Sequence, residues 1–522
     1  MRFIFTATIA LTLTASLFAY RSEQNPTPPG KSSRPNIVFI LADDLGYGDL
    51  GVYGANKVST PNVDRLAMEG MQFTNAYSPH SVCTPTRYSL LTGRYAWRTW
   101  NGHTTLWSND PLLIDTARVT LPKILKNVGY STAIIGKWHL GFGLPNTPGW
   151  DNLKGPDYNL PLKPGPLEVG FDYFYGIPHV GQKPHVYIEN HQVVGLDNTD
   201  SMEIVLDERW LDRPSFIDRV GVPAHQFTGN EEARYEHEDL AINLTEKAVD
   251  YIHDQKQGDP FFLYFAHRNI HGPLRPNDRF KETSEIGIYG DFIHEFDWSV
   301  GEILRALEEK GFSENTIIFL SSDNGGVKNY RPSERVDIQG HYINGPFFGQ
   351  KTEAYEGGVH VPLLVRWPGV VKPGSTSVKL VALTDVLATL AEFSDYELPW
   401  NAGEDSFSFL HELQGQGKAP SKPVRETIVV DATQGLFGIR KGDWKLITGQ
   451  GGGGSGWNKE ENIRFSSHEW HYPENPNPPP GQLYNLREDP QESQNLYYQY
   501  PKIVTELRGT LREVKFSGRS RN

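Results

Sequence analysis

The chain has 522 residues, of which 22% are charged and 38% apolar, as in an ordinary globular protein with one large domain or two to three smaller ones. Its formal net charge of −13 argues against binding to nucleic acids or to acidic membranes, and an anionic substrate would have to be held by local cations. The single cysteine excludes intrachain disulfides.

The N-terminus has the pattern of an export signal. One positive charge, Arg2, precedes an apolar run over 3–18, and the small residue Ala19 ends it. The run is too short to predict a transmembrane span, and no cysteine directly follows it, which argues against a lipoprotein anchor. We therefore predict a signal peptide over 1–19, a Pro/Ser linker over 20–34, and a secreted or periplasmic protein without a membrane anchor.

Apolar strand patterns alternate with helical patterns along most of the chain. The first strand, Asn36–Ala42, is apolar almost throughout, as buried strands of a parallel sheet are. The alternation predicts an α/β domain over 35–424, with a central, mostly parallel sheet flanked by helices. The polar stretch 144–232 lacks this rhythm and is predicted to form long loops or insertions. The later strands are predicted at 131–135, 261–266, 316–320 and 361–365, and the helices at 62–69, 121–127, 240–254 and 291–310.

Polar side chains follow two of these strands directly. Asp43 and Asp44 come after the first strand, and Asp323 and Asn324 come after the strand at 316–320. An Asp-Asp pair alone is more often a turn or a helix cap. Two strand ends that each supply two oxygen ligands favour a cage for a hard cation such as Ca²⁺ or Mg²⁺.

The only cysteine, Cys83, precedes a predicted helix start. Pro85 suits the first turn of a helix, and Arg87 lies four residues after Cys83, so that both side chains share one face at the positive end of the helix. A buried, inert cysteine is the competing interpretation, because cysteine is among the most buried residue types. The pattern places a reactive group and a fixed cation together.

Lys137 and His139 follow the strand at 131–135. In an extended segment they point to the same side, where lysine could bind an anion and histidine could transfer a proton near neutral pH. For this hexapeptide alone, a polar loop is the other interpretation.

From residue 425 the pattern changes to strands and turns. Leu436–Arg440 and Trp444–Ile447 flank a predicted hairpin turn, and Ile503–Val514 has a helical pattern. We predict a smaller α+β subdomain with an antiparallel sheet over 425–522.

The cysteine segment resembles the signature of the type I sulfatases. Cys83, Pro85 and Arg87 occupy its defining positions, Leu90–Arg94 continues it, and only Thr86 replaces the usual Ser or Ala. In this family a formylglycine-generating enzyme oxidises the cysteine to Cα-formylglycine, and the hydrated aldehyde is the nucleophile. The resemblance therefore implies formylglycine at position 83 and an alkaline-phosphatase-like α/β fold.

Further motifs of this family occur in the family's order. The segment Gly136–Gly141 (Gly-Lys-Trp-His-Leu-Gly) is a complete match, His271 matches the histidine near the leaving group, and Lys351 matches the second sulfate-binding lysine. One departure is His360, where many members have arginine. The resemblance also implies a Ca²⁺ site, with Mg²⁺ as the other candidate ion, whose ligands are Asp43, Asp44, Asp323, Asn324 and the modified Cys83.

The activity implied by the resemblance is sulfate ester hydrolysis. One hydroxyl of the hydrate attacks sulfur while Arg87 orients it, and Lys137 with Lys351 neutralises charge on the sulfuryl group. His271, alone or with Lys351, protonates the departing alcohol, and His139 takes the proton of the second hydroxyl, which expels sulfate.

The substrate is less clearly marked than the reaction. Export, an aromatic content of 12% and long loops favour a sulfated carbohydrate, from algal polysaccharides or glycosaminoglycan fragments. Arg98 and His103 are either sugar contacts or ordinary polar loop residues. A phosphodiester or phosphonate monoester hydrolase of the same superfamily is the alternative enzyme. A catalytically inactive carbohydrate-binding module is disfavoured because every catalytic position is filled.

Overall fold

The structure is a computed structural model that describes residues 34–206, 224–328, 340–415, 423–454, 456–458, 463–465 and 479–521. The predicted signal peptide, and the predicted linker apart from Arg34, lie outside these residues. Within the described ranges, no helix combines the length and the apolar character that crossing a bilayer requires.

A sheet of ten strands forms the centre of the larger part of the molecule. In chain order the strands are β1 Asn36–Ala42, β2 Met71–Phe73, β3 Ser131–Lys137, β4 Tyr173–Ile177, β5 Ile188–Glu189, β6 Gln192–Val193, β7 Phe261–Ala266, β8 Thr316–Ser322, β9 Leu363–Arg366 and β10 Ser375–Ser377. Their order across the sheet is β10-β2-β9-β8-β1-β7-β3-β4-β5-β6. The run from β8 to β4 is parallel throughout, which confirms the predicted α/β class.

Helices cover both faces of this sheet. Because successive side chains of a strand point to opposite faces, Phe39 and Leu41 of β1 pack into one apolar core while Val38 and Ile40 pack into the other. Burial on both faces explains why β1 is apolar almost throughout. In the described ranges the α-helices are α1 Pro61–Met68, α2 Cys83–Thr92, α3 Leu121–Asn127, α4 Leu240–Asp254, α5 Ile288–Glu309, α6 Glu356–Val359, α7 Asp385–Phe393, α8 Leu410–Leu413 and α9 Pro501–Phe516.

A second, antiparallel sheet lies in the C-terminal part of the chain. It consists of β11 Thr427–Ala432, β12 Leu436–Lys441, β13 Trp444–Ile447 and β14 Gln482–Asn485, paired in that order. Leu507 and Leu511 of α9 share an apolar cluster with Ile439 and Leu446 of this sheet. The predicted antiparallel sheet and C-terminal helix are therefore present, and the division of the chain after residue 424 stays a prediction.

Short two-stranded ladders complete the described strands. They pair Ala76–Tyr77 with Val381–Ala382, Trp150–Asp151 with Gly155–Pro156, Glu203–Leu206 with Ala224–Thr228, and Gly456–Asn458 with Ile463–Phe465.

Two parts of the main sheet differ from the prediction. The apolar run 361–365 was expected to be a strand of the parallel type, but β9 begins at Leu363 and pairs antiparallel with both of its neighbours. A short run buried on both faces has the same pattern in either direction. The stretch 144–232, expected to be loops, contributes β4, which pairs parallel with β3. The five residues of β4 (Tyr-Phe-Tyr-Gly-Ile) include a glycine and are too few to show a clear period.

Candidate active site

The predicted metal and cation-bearing residues converge at the carboxyl ends of the parallel strands, where α/β enzymes place their sites. Asp43 and Asp44 follow β1, and Asp323 and Asn324 follow its neighbour β8. The two strands pair in register up to their last residues, so both loops leave the sheet at the same level. Lys137 is the last residue of β3, two strands away on the other side of β1.

Cys83 lies beside the acidic pair. It is the first residue of α2 and is buried, with its Sγ atom 3.5 Å from Oδ1 of Asp43 and 4.0 Å from Oδ1 of Asp44. The positive end of the α2 dipole therefore faces two carboxylates, which is the favourable orientation. Burial raises the pKa of the Cys83 thiol, and the negative charge of Asp323 raises it further. The unmodified side chain is consequently a neutral thiol.

Three buried or nearly buried cations neutralise three carboxylates in this site. Each cation reaches across from a different element, so the ion pairs join α2, β3 and the loop before α6 to the ends of β1 and β8. The pairs are Lys137 with Asp43 at 2.7 Å, Lys351 with Asp44 at 2.7 Å and Arg87 with Asp323 at 2.8 Å between the closest nitrogen and oxygen atoms.

These cations decide the charge of the central carboxylate. Burial alone would raise the pKa of Asp43, but Lys137, followed by His271 and Arg87, holds it well below its usual range. Burial raises the pKa of Asp323 to about 6, and the negative charge of Asp43 adds to this effect. Asp43 is therefore ionised at neutral pH.

The donor atoms fit a divalent cation. One ligand atom from each of Asp43, Asp44, Cys83 and His271 lies within 4.8 Å of the others. The Oδ1 atom of Asn324 is buried and has no hydrogen-bond partner among the described residues, while its Nδ2 donates to Asp44 at 2.9 Å. If the side-chain amide of Asn324 is rotated by about 180°, its Oδ1 atom faces Asp44, and this oxygen can then serve as a cation ligand together with the carboxylates. A set dominated by oxygen donors suits Ca²⁺ or Mg²⁺ better than zinc.

The structure differs from the predicted metal set in two ways. His271, which was expected to act on the leaving group, has Nε2 3.8 Å from Oδ2 of Asp44. Asp323 turns one oxygen to Arg87 and accepts a hydrogen bond from the backbone N–H of Asp44 with the other, at 3.2 Å.

Three histidines line the site, and a backbone carbonyl fixes the tautomer of each. Nε2 of His139 lies 3.1 Å from the carbonyl of Leu106, and Nδ1 of His271 lies 2.6 Å from the carbonyl of Gly272. Because a carbonyl oxygen only accepts, these nitrogens carry the proton. Burial lowers the pKa of His139 well below its usual value, and burial with the positive charge of Lys351 lowers that of His271 to about 4.

The third histidine, His179, was not predicted. It follows β4, and its ring centroid is 3.8 Å from that of His139 at an interplanar angle of 74°. Its Nδ1 donates to the carbonyl of Val180 at 2.5 Å. The sequence signal was a histidine directly after a strand end, Ile177-Pro178-His179, but β4 itself was not predicted.

The helix after Lys351 is held by the C-terminal sheet. In α6, Glu356 accepts from Nζ of Lys445 at 2.7 Å and from Nδ1 of His360 at 2.9 Å, and all three side chains are buried. The sequence left open what replaces the arginine that many family members have at position 360. In this chain Lys445, from β13, supplies the buried positive charge.

The two candidate sugar contacts have other partners. The guanidinium of Arg98 donates to both carboxylate oxygens of Asp405 at 2.9 Å and to the carbonyl of Val514 at 2.9 Å, so it joins α9 to the main domain. Nδ1 of His103 lies 2.5 Å from Oδ2 of Asp431, and its side chain is 43% exposed. Of the two interpretations of Arg98, a sugar contact is disfavoured, because a buried ion pair occupies its side chain.

Comparison with known proteins agrees with this geometry. The family model described as Sulfatase matches residues 35–396. The chain is 37% identical over 505 residues to an N-acetylgalactosamine-6-O-sulfatase of Bacteroides thetaiotaomicron, covering 93% of this chain and 94% of that protein. It is 33% identical over 402 residues to the N-acetylgalactosamine-6-sulfatase of Homo sapiens, covering 76% of this chain and 68% of that protein.

Solved structures show the same fold. A protein described with the metabolism of multiple glycosaminoglycans by Bacteroides thetaiotaomicron superposes with a TM-score of 0.79 at 36% identity, covering 93% of this chain and all of that one. The phosphonate monoester hydrolase of Agrobacterium radiobacter, at 17% identity and a TM-score of 0.58 over 93% of this chain and 96% of that one, shares the fold alone. The fold is therefore alkaline-phosphatase-like, as predicted. The match over most of the chain shows that it belongs to the type I sulfatase family and is a sulfuric ester hydrolase.

Proposed function

We propose that this enzyme removes sulfate from a carbohydrate by way of a formylglycine formed from Cys83. The observation that carries the proposal is the position of Cys83 Sγ, 3.5 Å from Asp43 and 4.0 Å from Asp44. These two carboxylates also hold Lys137 and Lys351 at 2.7 Å. One place thus contains the modifiable residue, the donors for a cation and two cations suited to an anionic group.

Two groups complete the proposed site. A formylglycine-generating enzyme would convert Cys83, and the hydrated aldehyde would supply a hydroxyl nucleophile with a second hydroxyl for regeneration. A Ca²⁺ or Mg²⁺ ion would bind a sulfate oxygen and make the hydroxyl more acidic. Its ligands would be Asp43, Asp44, Asp323, Asn324 and the modified residue 83.

The other side chains have separable roles. Arg87, buried and held by Asp323, orients the residue at position 83. Lys137 and Lys351 turn from their carboxylates to the sulfate oxygens and neutralise charge as it develops in the transition state. The metal ion would then compensate Asp43 and Asp44 in place of the two lysines.

Two histidines handle protons. His271, whose Nδ1–H is fixed by a carbonyl, would act as the acid in its doubly protonated form, which the negative charge of a bound sulfate ester favours; Nε2 then delivers its proton to the departing alcohol and the ring returns to its neutral form. His139, whose Nε2–H donates to Leu106, has a buried Nδ1 atom without a hydrogen-bond partner in the described chain. That free lone pair suits a base, so we assign to His139 the proton whose removal regenerates the aldehyde.

The first substrates to test come from the relatives. Proteins named for N-acetylgalactosamine 6-sulfate align with most of this chain. Glycosaminoglycan fragments carry that group, and sulfated algal polysaccharides are the second source. The predicted export signal favours action in the periplasm or outside the cell.

The experiment is a comparison of ester classes on enzyme expressed with a formylglycine-generating enzyme. Release of sulfate from N-acetylgalactosamine 6-sulfate and from 4-nitrophenyl sulfate should far exceed release of 4-nitrophenol from bis(4-nitrophenyl) phosphate. Faster cleavage of the phosphate diester would replace this proposal by the phosphodiester or phosphonate monoester hydrolase.

A further inference from the structure

His179 occupies a defined position beside the proposed catalytic residues. Lys137 of β3 is paired in register with Ile177 of β4, and two residues beyond this pair the chains carry His139 and His179. The backbone N–H of His139 donates to the carbonyl of Pro178 at 3.0 Å, which keeps the two segments side by side beyond the sheet. His179 is therefore built into the same edge of the sheet as the proposed proton-transfer residues.

One ring nitrogen of His179 is free. Nδ1 donates to the carbonyl of Val180 at 2.5 Å, so in the neutral ring Nε2 carries a lone pair. His179 is only 6% exposed, and its Nε2 atom is buried. This nitrogen has no hydrogen-bond partner in the described part of the chain. Burial lowers the pKa of His179, and the positive charge of Lys137 lowers it further. The free nitrogen is thus a hydrogen-bond acceptor, and a buried acceptor without a partner is costly.

The strand order gives the side of the site on which this acceptor lies. The sheet runs β8-β1-β7-β3-β4, so the cation ligands of β8 and β1 come first, then His271 after β7, His139 after β3 and His179 after β4. Neighbouring strands are about 4.8 Å apart, which puts the end of β4 about 14 Å from the end of β1. His179 therefore lies beyond His271 on the side opposite to the cation ligands. The alcohol portion of the ester is expected on this side, because His271 is its proposed proton donor.

We propose that Nε2 of His179 accepts a hydrogen bond from the sugar, from a hydroxyl or amide N–H near the sulfated carbon. This inference rests on the proposed function, because it concerns the alcohol portion of the same substrate. A neutral lone pair attracts a donor and repels a carboxylate or a second sulfate group. His179 is accordingly a specificity residue for uncharged hexoses and N-acetylhexosamines that bear a single sulfate.

The test compares two esters on two variants. His179→Phe keeps a planar ring against His139 but removes the acceptor, and His179→Gln restores an acceptor oxygen at similar reach. Substrates are N-acetylgalactosamine 6-sulfate, galactose 6-sulfate and 4-nitrophenyl sulfate, which has no sugar donor. We expect His179→Phe to lose about 10–100-fold more kcat/KM on the better sugar sulfate than on the aryl sulfate, and His179→Gln to recover part of this difference.

His253→Phe is the matched control. His253 lies in the last turn of α4 and is partly exposed, with Nε2 3.3 Å from Glu309. Since α4 ends shortly before β7 begins, this turn is at the edge of the sheet opposite to the site. The His253→Phe variant should leave the ratio of kcat/KM on the sugar sulfate to kcat/KM on the aryl sulfate unchanged. Equal losses of His179→Phe on both ester types, or no loss on either, would overturn the proposal. Wild-type enzyme that cleaves the aryl sulfate but neither sugar sulfate would also overturn it, while leaving sulfate ester hydrolysis in place; failure on all three esters would instead contradict the proposed function.

Discussion

The ammonium of Lys445, in the C-terminal sheet, lies 2.7 Å from the carboxylate of Glu356 at the start of α6, and both side chains are almost fully buried. Glu492 is 2.9 Å from the same ammonium. Burial alone would raise the pKa of Glu356, but Lys445 and then His360 hold it well below its usual range. The C-terminal sheet thereby fixes the helix that follows Lys351.

Replacing Lys445 should be strongly destabilising. In Lys445→Met the buried Glu356 keeps its charge without its main counter-ion, and breaking a buried pair in this way costs about 3–5 kcal/mol of the free energy of unfolding. Urea unfolding of the wild type and the variant at pH 7 measures this loss. The matched control is Lys441→Met, because Lys441 pairs with Glu506 at 2.7 Å with side chains 40% and 57% exposed. That surface pair should contribute about 0–1 kcal/mol. Equal effects of the two substitutions would contradict a role for Lys445 in fixing α6.

The cation site should stabilise the fold when it is filled. Added Ca²⁺ should raise the unfolding temperature in a concentration-dependent way, because an ion that binds only the folded state adds its binding free energy to stability. Asn324→Leu removes an amide ligand but none of the three ion pairs, so the apo protein should still fold and the Ca²⁺-dependent rise should shrink. Differential scanning calorimetry of the wild type and of Asn324→Leu, each in chelator, in Ca²⁺ and in Zn²⁺, measures these unfolding temperatures. A larger rise with Zn²⁺ than with Ca²⁺ would mean that the ligand set is wrong.

The two proton-transfer histidines should fail at different steps. His139→Ala should release about one equivalent of alcohol per active site and then stop, because the later proton removal is blocked. Rapid-quench measurement of alcohol and sulfate separates the two products. Equal amounts of both products in the first turnover would contradict this role.

His271→Ala should instead depend on the leaving group. Across aryl sulfates whose phenols differ in pKa, its kcat/KM should fall more steeply with rising phenol pKa than that of wild type, because poor leaving groups need the proton. His179→Phe is the control, since it should keep the wild-type slope. Parallel slopes for His271→Ala and wild type would move the acid role to Lys351.

Stability should also change with pH through Asp297, away from the site. Asp297 of α5 accepts hydrogen bonds from the backbone N–H groups of Asn62 and Val63, and burial raises its pKa from 3.8 to about 6. A raised folded pKa means that the contribution to stability is complete below pH 3.8 and is lost as pH rises through about 6. Relative to Asp297→Asn, the wild type should lose about 3 kcal/mol between pH 3.8 and pH 7. A difference in unfolding free energy that stays constant with pH would refute the assignment.

Strand-end residues were predictable because their position follows from the chain itself. Asp43 and Asp323 each come directly after an apolar run, and parallel strands end at one edge, so their approach follows from the fold class. The contact between Lys351 and Asp44 joins residues 307 positions apart and could be expected only from the family resemblance. Whether Asp323 faces a metal or Arg87 depends on side-chain packing that no local pattern encodes.

Other features could be recognised only in the tertiary structure. His179 lies in a stretch without periodicity, and its importance appears only when β4 is placed beside β3. Arg98 resembled an exposed polar residue in the sequence, but Asp405, which occupies its guanidinium, is 307 positions away. The direction of β9 depends on how the chain returns to the sheet, and its short apolar run is the same for both directions.

The modification of Cys83 tests the central claim most directly. The measurement is the conversion of Cys83, from a mass loss of about 18 Da in its peptide, alongside sulfate release from N-acetylgalactosamine 6-sulfate by the same preparations. Preparations with different degrees of conversion should show sulfate release in proportion to the converted fraction, with none from Cys83→Ala and almost none from Cys83→Ser, which lacks the second hydroxyl. Full activity from protein in which the Cys83 thiol is unmodified would contradict the account.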